Sequence, residues 1–258
     1  MNVADEEGSA PVGSASVLTT LAAGQAQTAD ELIAGLGLHA HGERDRPHVI
    51  AAMIASADGR AAVQGRSVGL GHPADRALLR GLRAAADAVL VGTATVRAER
   101  YANLLDAGQV AAREVAGLAA SPLIAMITRS GDVPWEVGLF AEPDADVALY
   151  SGVPIEPPDE VVANVVVHDV SAPADVLAHL RREYGAAVVL CEGGPRLLRA
   201  LVADDLLDEL LLTVAPLLAA GDAPTPLAGP ALDPPGRMAL AGTWRAGDHA
   251  FLHYVAPR

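Results

Sequence analysis

Four short polar segments each follow an apolar run and carry side chains able to bind an anion or move a proton. They are SADGR at 56–60, GTATV at 92–96, TRSG at 128–131 and EGGP at 192–195. Each segment alone is typical of a turn, because glycine and Asp-Gly are ordinary turn residues. Glycine also lets a ligand approach the backbone, and hydroxyl and guanidinium groups bind phosphate. Their shared position after apolar runs predicts one binding site.

The paired glycines Gly193 and Gly194 stand directly before a helix that we expect to begin at Pro195. The start of a helix has unpaired N–H groups and the positive end of the macrodipole, which together bind anions. Gly92 and the two threonines after it offer a second close approach to the backbone, with hydroxyl donors added. Two such sites suit a diphosphate.

The segment Thr128-Arg129-Ser130 places one cation between two hydroxyl groups. This composition suits a ribose 2′-phosphate, the group that distinguishes NADP from NAD. All 18 basic residues of the chain are arginine, so a P-loop lysine and a Schiff-base lysine are both excluded. Any phosphate clamp must therefore use arginine, backbone N–H groups or hydroxyls.

Two acidic residues of these segments, Glu192 and Asp58, are candidates for catalysis. Beside a ligand cleft, either carboxyl group is a candidate proton donor or an anchor for a substrate hydroxyl. The structural alternatives stay open, because Glu192 also fits a solvated or capping role and Asp58 fits an Asp-Gly turn.

The elements that must position these segments are strands alternating with helices. The patterns predict strands at 48–55, 88–91, 123–128, 146–150, 161–168, 187–191 and 207–214, and helices at 73–85, 110–118, 173–184 and from 195, with a capped helix start at 28–31. Segments 238–244 and 250–255 alternate like an antiparallel hairpin. The prediction is an α/β fold with a mixed, mostly parallel sheet and helices on both faces. Ligands of such sheets bind outside the carboxyl ends of the strands.

Composition bounds the function further. We expect one domain over 47–258 in this 258-residue chain, after an N-terminal arm over 1–46 that is partly disordered or helical. The net charge of −14 argues against a nucleic-acid partner. No apolar run has the length of a membrane helix, and no signal peptide is visible. The single cysteine, Cys191, excludes disulfides within the chain and cysteine-rich metal sites. We expect a cytoplasmic protein without a metal.

The segment GRSVG at 65–69 matches the serine hydrolase elbow G-x-S-x-G. That elbow needs a strand directly before it and a helix directly after it. The next helix is expected only near His72, and 61–64 is a poor core strand. We interpret the match as accidental, and a hydrolase acting through Ser67 as the weakest alternative.

Taken together, the motifs resemble the RibD C-terminal family, the pyrimidine reductases with a dihydrofolate reductase-like fold. The residues that carry the resemblance are SADGR, LRAAADAVLVGTATV, TRS, VLCEGGPRLL and LLDELLLTVAPLL, in that order. It covers roughly 47–255. The resemblance implies an NADPH-dependent reductase of riboflavin biosynthesis that converts the ribosyl side chain of a 5-amino-6-ribosylaminouracil 5′-phosphate to ribityl. It also implies a homodimer. No H-x-E with P-C-x-x-C occurs, so a fused deaminase domain is not expected.

The resemblance also implies roles for individual residues. With the residues singled out above, the predicted NADPH contacts are Ala55, Gly69, Gly92, Thr93, Thr95, Val96, Glu99, Thr128, Arg129, Ser130, Gly193, Gly194, Pro195, Arg196 and Leu197. The predicted substrate contacts are Ser67, Arg83, Asn103 and Glu192, with Arg83 near the substrate phosphate.

The segment after Val96 departs from the family pattern TVxxDxPxL. Glu99 stands in place of the aspartate, Tyr101 in place of the proline, and Asp106 near the expected second phosphate-binding arginine. Arg97 and Arg100 are the candidates to substitute for that arginine. The cofactor half of the site matches better than the substrate half. The alternatives are therefore a dihydrofolate or pteridine reductase and a non-catalytic NADP-binding protein.

Overall fold

The computed structural model describes residues 26–40 and 45–257. Its strands are β1 His48–Ser56, β2 Ala88–Gly92, β3 Leu123–Thr128, β4 Asp146–Ser151, β5 Asn164–Asp169, β6 Val188–Cys191, β7 Glu209–Ala215, β8 Ala239–Ala246 and β9 His249–Val255. Its α-helices are α1 Ala29–Leu36, α2 Pro73–Ala85, α3 Thr93–Glu99, α4 Ala107–Val115, α5 Pro173–Tyr184 and α6 Pro195–Ala203. Most of the predicted arm lies outside the described residues. In the part of the chain that the structure covers, no helix is both long and apolar enough to cross a bilayer.

All nine strands form one sheet in the order β5-β4-β3-β2-β6-β1-β7-β9-β8. The pairs from β5 to β7 are parallel, and β7, β9 and β8 pair antiparallel. The predicted fold class, a mostly parallel sheet with helices and a C-terminal antiparallel hairpin, is confirmed.

Helices α2 and α5 begin and end where the pattern predicts, because both have proline in the first turn. Proline fixes a helical φ there and loses no hydrogen bond. The ring of His72 also caps α2 by accepting a hydrogen bond from the Ala74 N–H at 3.1 Å. The helix expected from residue 28 is confirmed as α1, where Thr28 and Glu31 form a capping box.

The two helices cover opposite faces of the sheet. On β1, Ile50 belongs to one core cluster, and its neighbours Val49 and Ala51 belong to another. Since successive strand residues point to opposite faces, the clusters are the two sides of the sheet. α2 adds Leu78 and Leu82 to the side of Ile50, and α5 adds Val176, Leu177 and Leu180 to the other. The core thus has two layers, separated by the strands.

The largest differences from the predicted elements concern α3, α4 and β5. The segment that follows Gly92, interpreted as a loop, forms the helix α3. The pattern did not predict this helix because its β-branched threonines and valine have low helix propensity. α4 begins earlier than 110 because Asp106 and Gln109 form a capping box. β5 begins at Asn164, since the N–H groups of Val162 and Ala163 both donate to the Phe140 carbonyl instead of pairing with a neighbouring strand.

Candidate active site

The four polar segments lie side by side at one edge of the sheet. They follow β3, β2, β6 and β1, which are consecutive neighbours and run parallel. Parallel neighbours bring their carboxyl ends to the same edge, which is where ligands of such sheets bind. The structure therefore brings together the segments that the sequence singled out.

The two glycine segments contact each other directly. The Gly92 N–H donates a hydrogen bond to the carbonyl of Gly193 at 2.8 Å. Gly193 has a φ of +80°, and its peptide bond to Gly194 is cis. A Cβ atom added to Gly194 would lie 2.7 Å from the hydroxyl oxygen of Thr95, closer than real Cβ contacts. Glycine is therefore required at both positions, and the two loops form one continuous backbone surface.

The helices behind these loops begin without side-chain caps. α3 has Gly92 as its N-cap and α6 has Gly194, and neither residue supplies a side-chain hydrogen bond. First-turn N–H groups that no cap side chain occupies are suited to an anion. The prediction that these two loops bind a diphosphate fits this local structure.

The end of β3 combines a buried hydroxyl with a free cation. Thr128 is 3% exposed, and its hydroxyl oxygen has no hydrogen-bond partner among the described residues. The next residue, Arg129, is exposed, and no hydrogen bond or ion pair joins its guanidinium to the described part of the chain. Ser130 is exposed and accepts a hydrogen bond from the Asp132 N–H at 3.3 Å. A buried polar atom without a partner beside a free guanidinium fits a bound phosphate.

A second group of residues, Arg83, Tyr101 and Glu192, forms a buried cluster beside the glycine loops. The Arg83 guanidinium donates two hydrogen bonds of 2.6 Å to the two oxygens of Glu192. The Tyr101 hydroxyl donates a third, to Glu192 Oε2. The guanidinium also lies over the Tyr101 ring, 5.3 Å from its centroid. The structure thus unites two predicted substrate contacts with a tyrosine that replaces the family's proline.

The charges in this cluster are fixed by its burial and pairing. Burial lowers the pKa of Arg83, but the charge and hydrogen bonds of Glu192, together with Tyr101, outweigh burial and raise that pKa. Burial raises the pKa of Tyr101 well above its usual value, and the Glu192 charge adds to the effect. Three donors therefore point at two carboxylate oxygens, which is the arrangement of an ionised acceptor. This geometry favours Glu192 as the residue that orients Arg83 and argues against its predicted role as a proton donor.

The other predicted acid, Asp58, takes the turn role. Its carboxylate accepts hydrogen bonds from the Ser56 hydroxyl at 2.5 Å and from the N–H groups of Ala219 and Ala220 at 2.9 and 2.7 Å. These bonds, the one from Ser56 above all, lower the pKa of Asp58 to about 2. A carboxyl group that is fully ionised at neutral pH has no proton to donate. The structure therefore disfavours Asp58 as the catalytic acid.

The remaining predicted residues have mixed placements. The Ser67 N–H donates to the Glu99 carboxylate at 2.8 Å, so Glu99 fixes the Ser67 loop. Asn103 is exposed, and its amide lies 3.1 Å from a carboxylate oxygen of Glu142. Arg196 is exposed at the start of α6. Ala55, Thr93, Val96, Pro195 and Leu197 are buried or half-buried, and Gly69 is exposed.

The departures after Val96 have structural explanations. Arg97 donates hydrogen bonds of 2.8 and 2.6 Å to Asp132, so its charge is already paired. Asp106 is used as the N-cap of α4. Of the two arginines offered as substitutes for a phosphate ligand, only Arg100 lacks a hydrogen bond to a described residue.

Sequence reasoning missed Tyr101 as a site residue and did not consider Asp75. Tyr101 had a signal, because it occupies a position where the family pattern breaks. Asp75 had none, since an acidic residue in the first turn of a helix is ordinary. Both residues reach the site through contacts that are distant in sequence.

Comparison with known proteins gives a family and a set of similar folds. The family model of the RibD C-terminal domain matches residues 47–252. A pyrimidine reductase-like protein of Corynebacterium diphtheriae is 23% identical, with a TM-score of 0.76 over 90% of this chain and 100% of that one. No curated protein sequence matches significantly.

Two further solved structures have the same fold. RibD of Acinetobacter baumannii is 23% identical, with a TM-score of 0.68 over 83% of this chain. This chain spans only 59% of that protein's length. The riboflavin biosynthesis reductase Rib7 of Saccharomyces cerevisiae is 18% identical, with a TM-score of 0.60 over 83% of this chain and 91% of that one.

Proposed function

The chain belongs to the RibD C-terminal domain family, and on that premise we propose that it is an NADPH-dependent reductase. Its proposed substrate is a pyrimidine ribosylamine phosphate, as in the 5-amino-6-(5-phosphoribosylamino)uracil reductase step of riboflavin biosynthesis. The observation that carries the proposal is the contact between the Gly92 and Gly193 loops, with the unpaired guanidinium of Arg129 on the same edge of the sheet.

The residues present fit the cofactor. The uncapped first turns behind Gly92 and Gly194 would hold its diphosphate, and Thr128 and Arg129 would hold the 2′-phosphate. When bound, the dihydronicotinamide supplies a hydride. The contribution of the chain is to orient the two reactants and to exclude water between them.

On the substrate side, Arg83 is the principal binding group. Glu192 occupies its Nε and Nη2 atoms, which leaves Nη1 without a hydrogen bond to a described residue. A guanidinium held on one side by a carboxylate and a tyrosine ring has few rotamers left, so it loses little entropy when it binds a substrate oxygen. Glu192 and Tyr101 therefore act as positioning residues for Arg83.

A pteridine or another unphosphorylated heterocycle is the second candidate substrate. The pairing of Arg97 with Asp132 and the capping role of Asp106 favour it, because they leave Arg100 as the one remaining candidate for the second phosphate-binding arginine. Parallel assays of NADPH oxidation with the pyrimidine ribosylamine phosphate and with dihydrofolate separate the two candidates. Tight NADPH binding without turnover of either would instead indicate a non-catalytic NADP-binding protein.

Substitution of Arg129 tests the cofactor assignment. We expect Arg129→Ala to raise the Kd for NADPH about 10- to 100-fold, because a hydrogen-bonded charge pair contributes about 1.5–3 kcal/mol. The Kd for NADH should change less than about twofold, since NADH has no 2′-phosphate. Fluorescence titration measures both constants. Equal losses for the two nucleotides would refute the 2′-phosphate contact.

A further inference from the structure

Helix α2 carries polar residues toward the site at both of its ends. Asp75, Leu79 and Arg83 are spaced four residues apart, so they share one face of the helix. Arg83 binds Glu192 directly after β6, which turns this face toward the carboxyl ends of the strands. Asp75 lies about 12 Å from Arg83 along the helix axis, at a rise of about 1.5 Å per residue.

The carboxyl group of Asp75 packs against the end of β7. Its side chain shares a hydrogen bond with Thr213, a residue near the end of that strand that is 4% exposed. The loop before α2 closes the other side, since a Cβ atom on Gly71 would lie 3.9 Å from Asp75 Oδ2. His249 anchors this loop by a hydrogen bond of 3.1 Å to the Leu70 carbonyl.

Between the two polar ends, the sheet presents a partly uncovered apolar floor. β1 lies between β6 and β7, and its residue Ile54 pairs with Thr213. Ala52 and Ile54 are only half-buried, although β1 is an interior strand. They lie on the same face as Ile50, the face that α2 covers. This part of β1 is therefore not fully covered by α2.

The dimensions of this cleft suit one heterocycle. β6 and β7 are separated by β1, so the strands that carry the two polar ends are about 10 Å apart, at about 4.8 Å per strand. That spacing matches the length of a flat ring system lying over the β1 floor, with a carboxyl group at one end and a guanidinium at the other.

We propose that Asp75 donates the proton in the reduction, from the end of the cleft opposite Arg83. This inference rests on the proposed function. The other two carboxyl groups of the site already accept hydrogen bonds. Glu192 accepts from Arg83 and Tyr101, and Asp58 accepts from Ser56 in its turn. Asp75 has one hydroxyl partner, Thr213, and is partly buried, which suits a carboxyl group that keeps its proton.

The charges around Asp75 support this assignment. Burial raises the pKa of Asp75. The Thr213 hydroxyl and the charges of His249, Arg76 and His72 act in the opposite direction, and burial outweighs them. A general acid works best when its pKa lies near the working pH, so an upward shift is the required direction.

The chemical step balances as a two-electron reduction of a carbon–nitrogen double bond. The proton leaves the Asp75 oxygen and forms the new N–H bond, and a bound dihydronicotinamide would supply the hydride for the new C–H bond. The substrate gains two electrons from that reductant, and the Asp75 carboxylate regains a proton from water.

A direct titration tests the proton without relying on activity. In the full chain, the carboxyl carbon of ¹³C-labelled aspartate is followed by NMR against pH, with Asp75→Asn and Asp175→Asn used to assign the two signals. Asp175 is the matched control, because it occupies the same Pro-Ala-Asp helix start but is exposed. We expect Asp75 to lose its proton at a clearly higher pH than Asp175. Titration of Asp75 at or below the pH of Asp175 would overturn the proposal, whatever the enzyme activity.

Steady-state kinetics tests the catalytic role. With the pyrimidine ribosylamine phosphate, Asp75→Asn should lower kcat about 100-fold or more and abolish the fall of kcat with rising pH. The Kd for NADPH should stay within about twofold, and Asp175→Asn should behave as wild type. Wild-type turnover that survives in Asp75→Asn with an unchanged pH profile would refute the role of Asp75 alone. A wild-type protein that binds NADPH but reduces neither candidate substrate would refute the proposed function, and the role with it.

Discussion

Helices α2 and α5 are built from similar parts and end up in different environments. Both begin with Pro-Ala-Asp and both have arginine in the last turn. In α2, Asp75 is partly buried against β7, and Arg83 forms a buried pair with Glu192. In α5, on the opposite face of the sheet, Asp175 is exposed, and Arg181 reaches only backbone carbonyls at 3.4 and 3.5 Å.

The difference shows that local sequence sets a helix but not its chemistry. The proline and aspartate stabilise the first turn in both helices, through a fixed φ and the macrodipole. Only α2 packs its polar face toward the carboxyl ends of β6 and β7, where the strands leave a cleft. The same residue types are therefore functional candidates in one helix and solvated in the other.

Arg83 of α2 and Arg181 of α5 should differ most in their contribution to the free energy of unfolding. Arg83→Ala leaves the Glu192 carboxylate buried with one remaining donor, so the free energy of unfolding should fall by about 3–5 kcal/mol. Arg181→Ala should cost less than about 1 kcal/mol, because its two bonds are long and partly exposed. Urea unfolding followed by circular dichroism measures both. Similar losses in the two variants would break the comparison.

Two tyrosines give a smaller contrast, Tyr101 just after α3 and Tyr184 at the end of α5. Tyr101→Phe removes one of three donors from buried Glu192 and should cost about 1–2 kcal/mol of unfolding free energy. Tyr184, the last residue of α5, is 40% exposed and bonds His168 at 2.8 Å, so Tyr184→Phe should cost less than about 0.5 kcal/mol. The same unfolding experiment compares them. A larger loss for Tyr184→Phe would contradict the assignment of Tyr101 to the site.

The aspartates should give the smallest effects, with opposite signs at pH 7. The folded pKa of Asp75 is raised, so the wild type loses stability as pH rises from the unfolded value of 3.8 through the folded one. Asp75→Asn removes that loss and should therefore gain stability relative to wild type between pH 3 and pH 7. Asp175→Asn should instead lose about 0.3–1 kcal/mol at pH 7, because it gives up a favourable dipole interaction. Unfolding curves at both pH values measure these differences. If the difference in unfolding free energy between Asp75→Asn and wild type did not depend on pH, the pKa of Asp75 would not be shifted by folding.

Much of the fold was predictable because the elements carry strong local patterns. α2, α5 and β3 have the predicted boundaries, since proline marks the helix starts and the strand is a clean apolar run. The exception is α3, where threonine and valine suit a strand or loop better than a helix. The helix forms because Val96 packs in the core. It begins directly after Gly92, the N-cap residue at the end of β2.

The cofactor half of the candidate site was more predictable than the substrate half. The glycine loops and Thr128-Arg129 follow strands directly, so the rule for parallel sheets is enough to place them together. The substrate half depends on contacts between distant segments. Tyr101 forms a hydrogen bond with Glu192, which is 91 residues further along the chain. Asp75 contacts Thr213 of β7, the strand that pairs with β1.

The sequence alone determined that strands alternate with helices, that phosphate must be bound without lysine, and which strand ends carry glycine and hydroxyl groups. These properties depend on residue type and spacing within short windows. The tertiary structure decided which carboxyl groups are paired, exposed or partly buried, and hence which one has its pKa raised by burial. That choice depends on solvent access and neighbouring charges, and these arise only when segments far apart in the chain pack together.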